Sequence, residues 1–371
     1  MPPVNVMIKP ASGLCNMRCT YCFYADEMDK RTERSYGIMS EETLENVLRK
    51  VLAFAEGDVT VAYQGGEPTL AGLDFFKKSI ALEKKYNEKG LRIHHALQTN
   101  GYQLDDDWCS FFHENEFLIG LSVDGIRATH NAYRKDAAGA DTFDRVMETA
   151  ARLTRHGVEF NILTVVNART ALRIRRIYEE YRKAGFRYQQ YIQCLDPLGE
   201  AQGSHDYSLT PEVYGQFLID LFDLWNQDLE QGKQPYIRQF ENWVAILLGY
   251  QPEACDQQGV CNIQNIVEAD GSVYPCDFYA LDAYRIGNLN EDSMEEIYGK
   301  RLESGFLEAS RNHSEKCRSC PYFALCRGGC RRHRAFMDGA YENVFCAGYK
   351  MFFDRYYGRL LEIARRLRGV S

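Results

Sequence analysis

The chain reads as an α/β protein: a partial (β/α)6 barrel over residues 1–234, followed by a small cysteine-rich domain over residues 235–371. Two observations predict this. Six β-prone apolar runs each precede a stretch of helical periodicity, the pattern of a parallel sheet with right-handed crossovers covered by helices, and six repeats make an incomplete version of the eightfold barrel. Eight of the thirteen cysteines lie beyond residue 254, where regular periodicity fades.

The strand-like runs fall at Val4 to Ile8, Val59 to Tyr63, Leu91 to Leu97, Phe117 to Val123, Val158 to Val166 and Tyr188 to Leu195. After the first, Ser40 is an N-cap with Glu41 and Glu42 in the opening turn, and Leu44, Val47, Leu48, Val51 and Leu52 follow at helical spacing. Phe143, Val146, Met147, Ala150 and Leu153 mark a later helix. The sixth opens with Thr210 and Pro211, the proline occupying the first helical position, where no N–H is missed, and carries Tyr214, Phe217, Leu218, Leu221, Phe222 and Trp225. These stripes are core. Phe240 to Leu248 is helical and aromatic, the chain beyond Cys255 is turn-rich, and Leu360, Leu361, Ile363, Ala364 and Leu367 form the packing face of a terminal helix.

Composition narrows the function. At 371 residues there is room for one large domain and a smaller one. A net charge of -8 argues against a nucleic-acid partner, because phosphate backbones are bound by concentrated Lys and Arg. No apolar run reaches the roughly 18 to 20 residues of a membrane span. Residues Met1 to Asn5 lack the basic-then-apolar layout of a signal peptide, so a cytoplasmic protein without a membrane partner is expected. Thiols stay reduced there, so clustered cysteines point to metal rather than disulfides. Cys109 and Cys194 lie alone in apolar surroundings and read as inert core thiols.

In barrels of this kind chemistry sits on loops at the carboxyl ends of the strands, and the polar signals fall there. Cys15, Cys19 and Cys22 follow the first strand; Gln64-Gly65-Gly66-Glu67-Pro68 follows the second; Gln98-Thr99-Asn100-Gly101 the third; Ser122-Val123-Asp124-Gly125 the fourth; Asn167 and Leu195-Asp196-Pro197 the fifth and sixth. Three thiolates are one short of what a four-iron cluster takes, which leaves one iron open. A zinc ion would want a fourth nearby Cys or His, and the loop has none. A pure electron carrier would have no use for an open iron.

The Cys-x3-Cys-x2-Cys loop after the first strand resembles the signature of the radical S-adenosylmethionine superfamily. The resemblance implies that Cys15, Cys19 and Cys22 hold a [4Fe-4S] cluster whose open iron takes the amino and carboxylate groups of S-adenosylmethionine, and that a 5′-deoxyadenosyl radical follows. It also implies Tyr21 against the adenine, Gly66 of the Gly-Gly-Glu motif beside the methionine amino group, and Ser122 and Arg134 as partners for the ribose and carboxylate. Leu195 would supply an apolar surface to the adenine. The alternative for Arg134 is a solvated charge within Tyr133-Arg134-Lys135-Asp136.

Beyond Phe240, eight cysteines divide evenly into two fully ligated cubanes or two four-thiolate zinc sites. Their spacing, Cys261-x9-Gly271-x4-Cys276, then Cys317-x2-Cys320-x5-Cys326-x3-Cys330 and finally Cys346, resembles the SPASM extension, with Cys255 as an eighth ligand. The resemblance implies an inner auxiliary cluster on Cys255, Cys261, Cys276 and Cys330 and an outer one on Cys317, Cys320, Cys326 and Cys346, three [4Fe-4S] clusters in all.

The segment Gly271 to Phe278, with Cys15 to Tyr24, is similar to the anaerobic sulfatase-maturating enzymes. That similarity implies oxidation of a Cys or Ser side chain in a sulfatase polypeptide to Cα-formylglycine, with Asp277 as general base. An external one-electron reductant of flavodoxin or ferredoxin type is also implied. Capping a turn is the alternative for Asp277. Tyr24 and Gln64 are further candidates for orienting substrate. A different SPASM peptide-maturation enzyme, forming thioether or carbon-carbon crosslinks, is the alternative function. His94 and His95 are adjacent in a strand and point to opposite faces, so one metal cannot take both. Arg331, Arg332, His333 and Arg334 read as a solvated basic face, with offsetting the negative charge of a thiolate-ligated cluster as the alternative.

Overall fold

The computed structural model of the chain describes residues 3–337 and 339–369, so the reading of the extreme N-terminus, which rests partly on Met1 and Pro2, lies partly outside the described residues. Strands run over Val4–Ile8 (β1), Asp58–Tyr63 (β2), Arg92–Thr99 (β3), Phe117–Ser122 (β4), Phe160–Val166 (β5), Tyr188–Gln193 (β6), Tyr236–Ile237 (β7), Asn265–Val267 (β8), Ser272–Tyr274 (β9), Gly287–Asn288 (β10), Arg334–Met337 (β11) and Ala340–Asn343 (β12). The six expected strands are all present, with ends within two residues of expectation. Among the described residues, no helix is long and apolar enough to cross a membrane.

The chain divides into two compact units, neither of them a continuous stretch. The first takes Met1–Ser122, Asn131–Phe160 and Ile263–Phe306. Its strands lie in the order β10-β9-β8-β1-β2-β3-β4. β1 pairs in parallel with β2, β2 with β3 and β3 with β4, as consecutive β/α repeats require. The other edge of β1 was not foreseen: it pairs in parallel with β8, Val6 opposite Asn265 and Ile8 opposite Val267. Three residues are too few to show a period, which is why this stretch reads as turn in the sequence. Alternate residues of the central strands are buried, Val4, Val6 and Ile8 against Val59, Val61 and Tyr63. The helix Glu41–Phe54 begins as its sequence demands, the Ser40 hydroxyl accepting from Thr43 N at 3.1 Å.

The second unit takes Val123–His130, Asn161–Asn262 and Leu307–Ser371. Within it β5, β6 and β7 pair in parallel. The helices Pro211–Glu230 and Cys346–Leu367 cross at Gly215 and Gly348; a Cβ on Gly348 would lie 2.3 Å from the Pro211 carbonyl oxygen. Beside this crossing, Trp243 stacks on Phe352 at 4.9 Å and meets Phe353 at 5.0 Å. Cys109 in the first unit and Cys194 in the second are buried, as expected of core thiols.

One sequence expectation is corrected. Arg331 to Arg334 do not form a solvated face: His333 is 4% exposed, and Arg334 turns inward to donate to the carbonyls of Ser310, Gly328, Gly329 and Gly259. A glycine-rich turn leaves carbonyls without partners of their own, and a guanidinium with five N–H donors satisfies several at once.

Candidate active site

Within the first unit, the loop after β1 and the loop after β2 are built on one another. Gly66 N donates to Ser12 O and Glu67 N to Leu14 O, both at 2.8 Å. A Cβ at Gly66 would fall 2.1 Å from that Leu14 oxygen, so only glycine permits the approach. Glu67, 1% exposed, accepts from Thr69 Oγ1, Thr99 Oγ1 and Asn100 N at 2.7 to 2.8 Å and so ties the ends of β2 and β3 together. Burial nonetheless holds its carboxyl above the usual range. Asn100 then reaches the cysteine loop, its Nδ2 donating to Asn16 Oδ1 at 2.8 Å and lying 3.7 Å from Cys15 Sγ.

The three loop cysteines are half-buried. Burial pushes Cys15 up to about 11, so a group binding the thiolate must displace a proton. Arg134 is 7% exposed, its Nη1 4.0 Å from Cys19 Sγ and its guanidinium 5.6 Å from the centre of the Tyr21 ring. The solvated-charge alternative for Arg134 is thereby excluded. Tyr21 is buried and meets Tyr133 edge-on. Ser122 is half-buried at the carboxyl end of β4.

Asp277 follows Cys276 at the start of a single 3-10 turn, Asp277–Tyr279. Lys9 Nζ lies 2.6 Å from Asp277 Oδ1, and Gln64 Nε2 donates to Oδ2 at 2.8 Å. Two strand ends of the barrel, β1 and β2, therefore hold a carboxylate delivered from far along the chain. Its partners are these side chains rather than the turn it opens. Lys9 has no exposed surface and sits 3.6 Å above the centre of the Tyr24 ring. Tyr24 donates its hydroxyl to Glu268 Oε1, which also receives Arg31 Nη1 at 2.7 Å. Burial and then the neighbouring Glu268 carboxylate push the Tyr24 phenol well above its ordinary range. Burial alone would raise Glu268, but Lys9 and Arg31 outweigh it and hold the carboxyl below its usual range.

Cys255, Cys261, Cys317, Cys320, Cys326, Cys330 and Cys346 belong to the second unit, as does Leu195, which is buried; Cys276 belongs to the first. The seven thiols fall into two neighbourhoods. Burial pushes Cys330 up to about 12, and the nearby Cys255 and Cys261 raise it further. Burial also pushes Cys326 up to about 12, with Cys346, Cys317 and Cys320 adding to it. Among the described residues, no three His, Cys, Asp or Glu side chains close on a single-ion position. These are looser groups of soft, half-buried donors, a donor set that suits iron-sulfur ligation.

Sequence reasoning missed Lys9, Arg31 and Glu268, and placed Asn100 in a strand-end loop without giving it a role. A lysine ending an apolar strand and a glutamate directly after Ile266-Val267 were the available signals, since charges in such places need partners.

Comparison with known proteins gives the family. Residues 10–181 match the Radical SAM superfamily, and residues 259–321 match the SPASM family, described as an iron-sulfur cluster-binding domain. A cysteine-type anaerobic sulfatase-maturating enzyme of Clostridium perfringens is 45% identical over 370 residues, covering 99% of this chain and 100% of that one. A serine-type anaerobic sulfatase-maturating enzyme of Bacteroides thetaiotaomicron is 31% identical, covering 95% of this chain and 89% of its own. The solved structure of native anSMEcpe with bound AdoMet and Cp18Cys peptide superposes with a TM-score of 0.93 at 45% identity, covering 99% of this chain and 100% of that one.

Proposed function

The chain belongs to the anaerobic sulfatase-maturating enzymes of the radical S-adenosylmethionine superfamily, and from that membership we propose that it oxidises a cysteine of a sulfatase polypeptide to Cα-formylglycine, with Asp277 as proton acceptor. The observation that carries the role of Asp277 is its placement: half-buried, next to Cys276, and held at both oxygens by Lys9 and Gln64 in the unit that carries the three-cysteine loop.

Bound S-adenosylmethionine and iron-sulfur clusters supply what side chains lack, a 5′-deoxyadenosyl radical that removes a Cβ hydrogen and a sink for the second electron. The rest falls to the chain. Once the Cβ hydrogen is gone, the target thiol must shed its proton to become a thioaldehyde, and Asp277 accepts it through the carboxylate that Lys9 and Gln64 aim. Water then hydrolyses the thioaldehyde. Tyr21, Gly66, Ser122, Arg134 and Leu195 are assigned to the S-adenosylmethionine pocket. Cys15, Cys19 and Cys22 are assigned to the radical-generating cluster, Cys255, Cys261, Cys276 and Cys330 to an inner auxiliary cluster, and Cys317, Cys320, Cys326 and Cys346 to an outer one. The two thiol neighbourhoods of the second unit support that partition. The same proposal gives radical initiation to residues 1–234, the auxiliary clusters to 235–371, and reduction to an external one-electron donor of flavodoxin or ferredoxin type.

Incubating the anaerobically reconstituted enzyme with reductant, S-adenosylmethionine and a cysteine-containing sulfatase peptide tests this. Formylglycine, seen by mass and by aldehyde trapping, is expected; 5′-deoxyadenosine without an oxidised peptide would sink the assignment. Three four-iron clusters require about 12 iron and 12 sulfide per chain.

A further inference from the structure

Behind Asp277 lies a buried ion pair that the reaction above does not use. Glu268 and the Arg31 guanidinium have no side-chain exposure and are 2.7 Å apart. The Tyr24 hydroxyl donates to the same Glu268 oxygen, and Arg31 Nη2 lies 3.4 Å from that hydroxyl. Lys9 Nζ lies over the face of the same ring, 3.6 Å from its centre, and contacts Asp277. Two cations and two carboxylates thus surround one phenol.

The contact between Lys9 and Asp277 is close, yet it lacks the angle of a hydrogen bond: neither Lys9 Nζ nor Asp277 Oδ1 has a hydrogen-bond partner. No directional bond holds the ammonium in place. It is held by attraction to Asp277, by the face of Tyr24, and by Glu268, whose carboxylate also feels Lys9. The last two of these depend on Glu268. Its acceptor oxygen sets the tilt of the Tyr24 ring, and its charge offsets Arg31, which would otherwise be a second buried cation on the same ring as Lys9.

The geometry points to Glu268 as a positioning residue for Asp277, acting through Tyr24 and Lys9. Without it Lys9 shifts, Asp277 keeps only its Gln64 contact, and the carboxylate is misaimed. This role rests on the reading of Asp277 as proton acceptor.

The test is Glu268→Gln in the reconstituted holoenzyme with a cysteine-containing sulfatase peptide. The expected result is a fall in kcat for formylglycine of roughly 10- to 100-fold, the scale of a small misplacement of a reacting group. The peptide KM stays unchanged, and more 5′-deoxyadenosine is released per formylglycine formed. Tyr24→Phe gives the same signature, and the double variant is no worse than the poorer single one, because both break one chain of contacts. Arg31→Met with Glu268→Met guards against misfolding, since replacing a whole buried ion pair by apolar side chains is often tolerated; it too should uncouple. Wild-type kcat and coupling in either the single or the paired variant overturns the positioning role. Full formylglycine formation by Asp277→Asn overturns instead the base assignment beneath it, a distinct result.

Discussion

Asp277 and Gly66 show how single residues set this site. Asp277→Asn keeps the shape and removes the proposed proton acceptor, so formylglycine formation should fall about 100-fold or more, while S-adenosylmethionine cleavage, followed as 5′-deoxyadenosine, continues. Gly66→Ala drives a methyl group into the Leu14 carbonyl. It should slow 5′-deoxyadenosine release itself, because the two loops must part to admit the side chain. His333 gives a pH dependence. Burial first, then Arg332 and Arg334, push its imidazole down from 6.5 to about 3. Between those values the unfolded chain binds the proton that the folded chain refuses. Stability should therefore fall as the pH drops below about 6.5, by about 1.4 kcal/mol per pH unit for one proton. Urea midpoints at pH 7.0 and 5.5 should separate further in the wild-type protein than in His333→Gln. At this scale the cysteine spacing that marks the family was legible in the sequence, because ligand loops are local. Tyr24 and Glu268 stand 244 residues apart, and no period links them.

Among the elements, the strand ends decide where chemistry can occur. β1 delivers Lys9 and the cysteine loop, β2 delivers Gln64 and Gly66, and the short β8, which the sequence did not reveal as a strand, leads into Glu268 and toward Cys276 and Asp277. In the second unit, the helix crossing at Gly215 and Gly348 is closed to any larger residue. Gly348→Ala should cost about 1 to 3 kcal/mol, the usual toll of overpacking, read as a lower unfolding midpoint by the fluorescence of Trp225 and Trp243. The helices themselves were legible, since Ser40 and Thr210 both serve as the N-caps their positions predict.

At the scale of the whole molecule, metal and folding are coupled. Half-buried thiols such as Cys326 and Cys330, both pushed up to about 12, bind metal only by giving up a proton, and ligation at the proposed cluster sites would supply folding free energy to the turn-rich stretches that carry them. Removing iron with a chelator should strip hydrogen-exchange protection from the amides around Cys255 to Cys261 and Cys317 to Cys346 well before those of β1 to β4. Equal loss in both would sink that expectation.

The amino-acid sequence alone determined the alternation of strand and helix, the capping of the main helices, the three-cysteine loop and the family to which the chain belongs. All of these rest on periods and spacings within a few dozen residues. Only the tertiary structure decided that β8 lies against β1, that Arg134 and Arg334 turn inward, and that Lys9, Tyr24, Arg31 and Glu268 stand behind Asp277. Buried charge is the physical reason: a carboxylate out of water must find a cation wherever the chain can bring one, and sequence distance places no limit on that search.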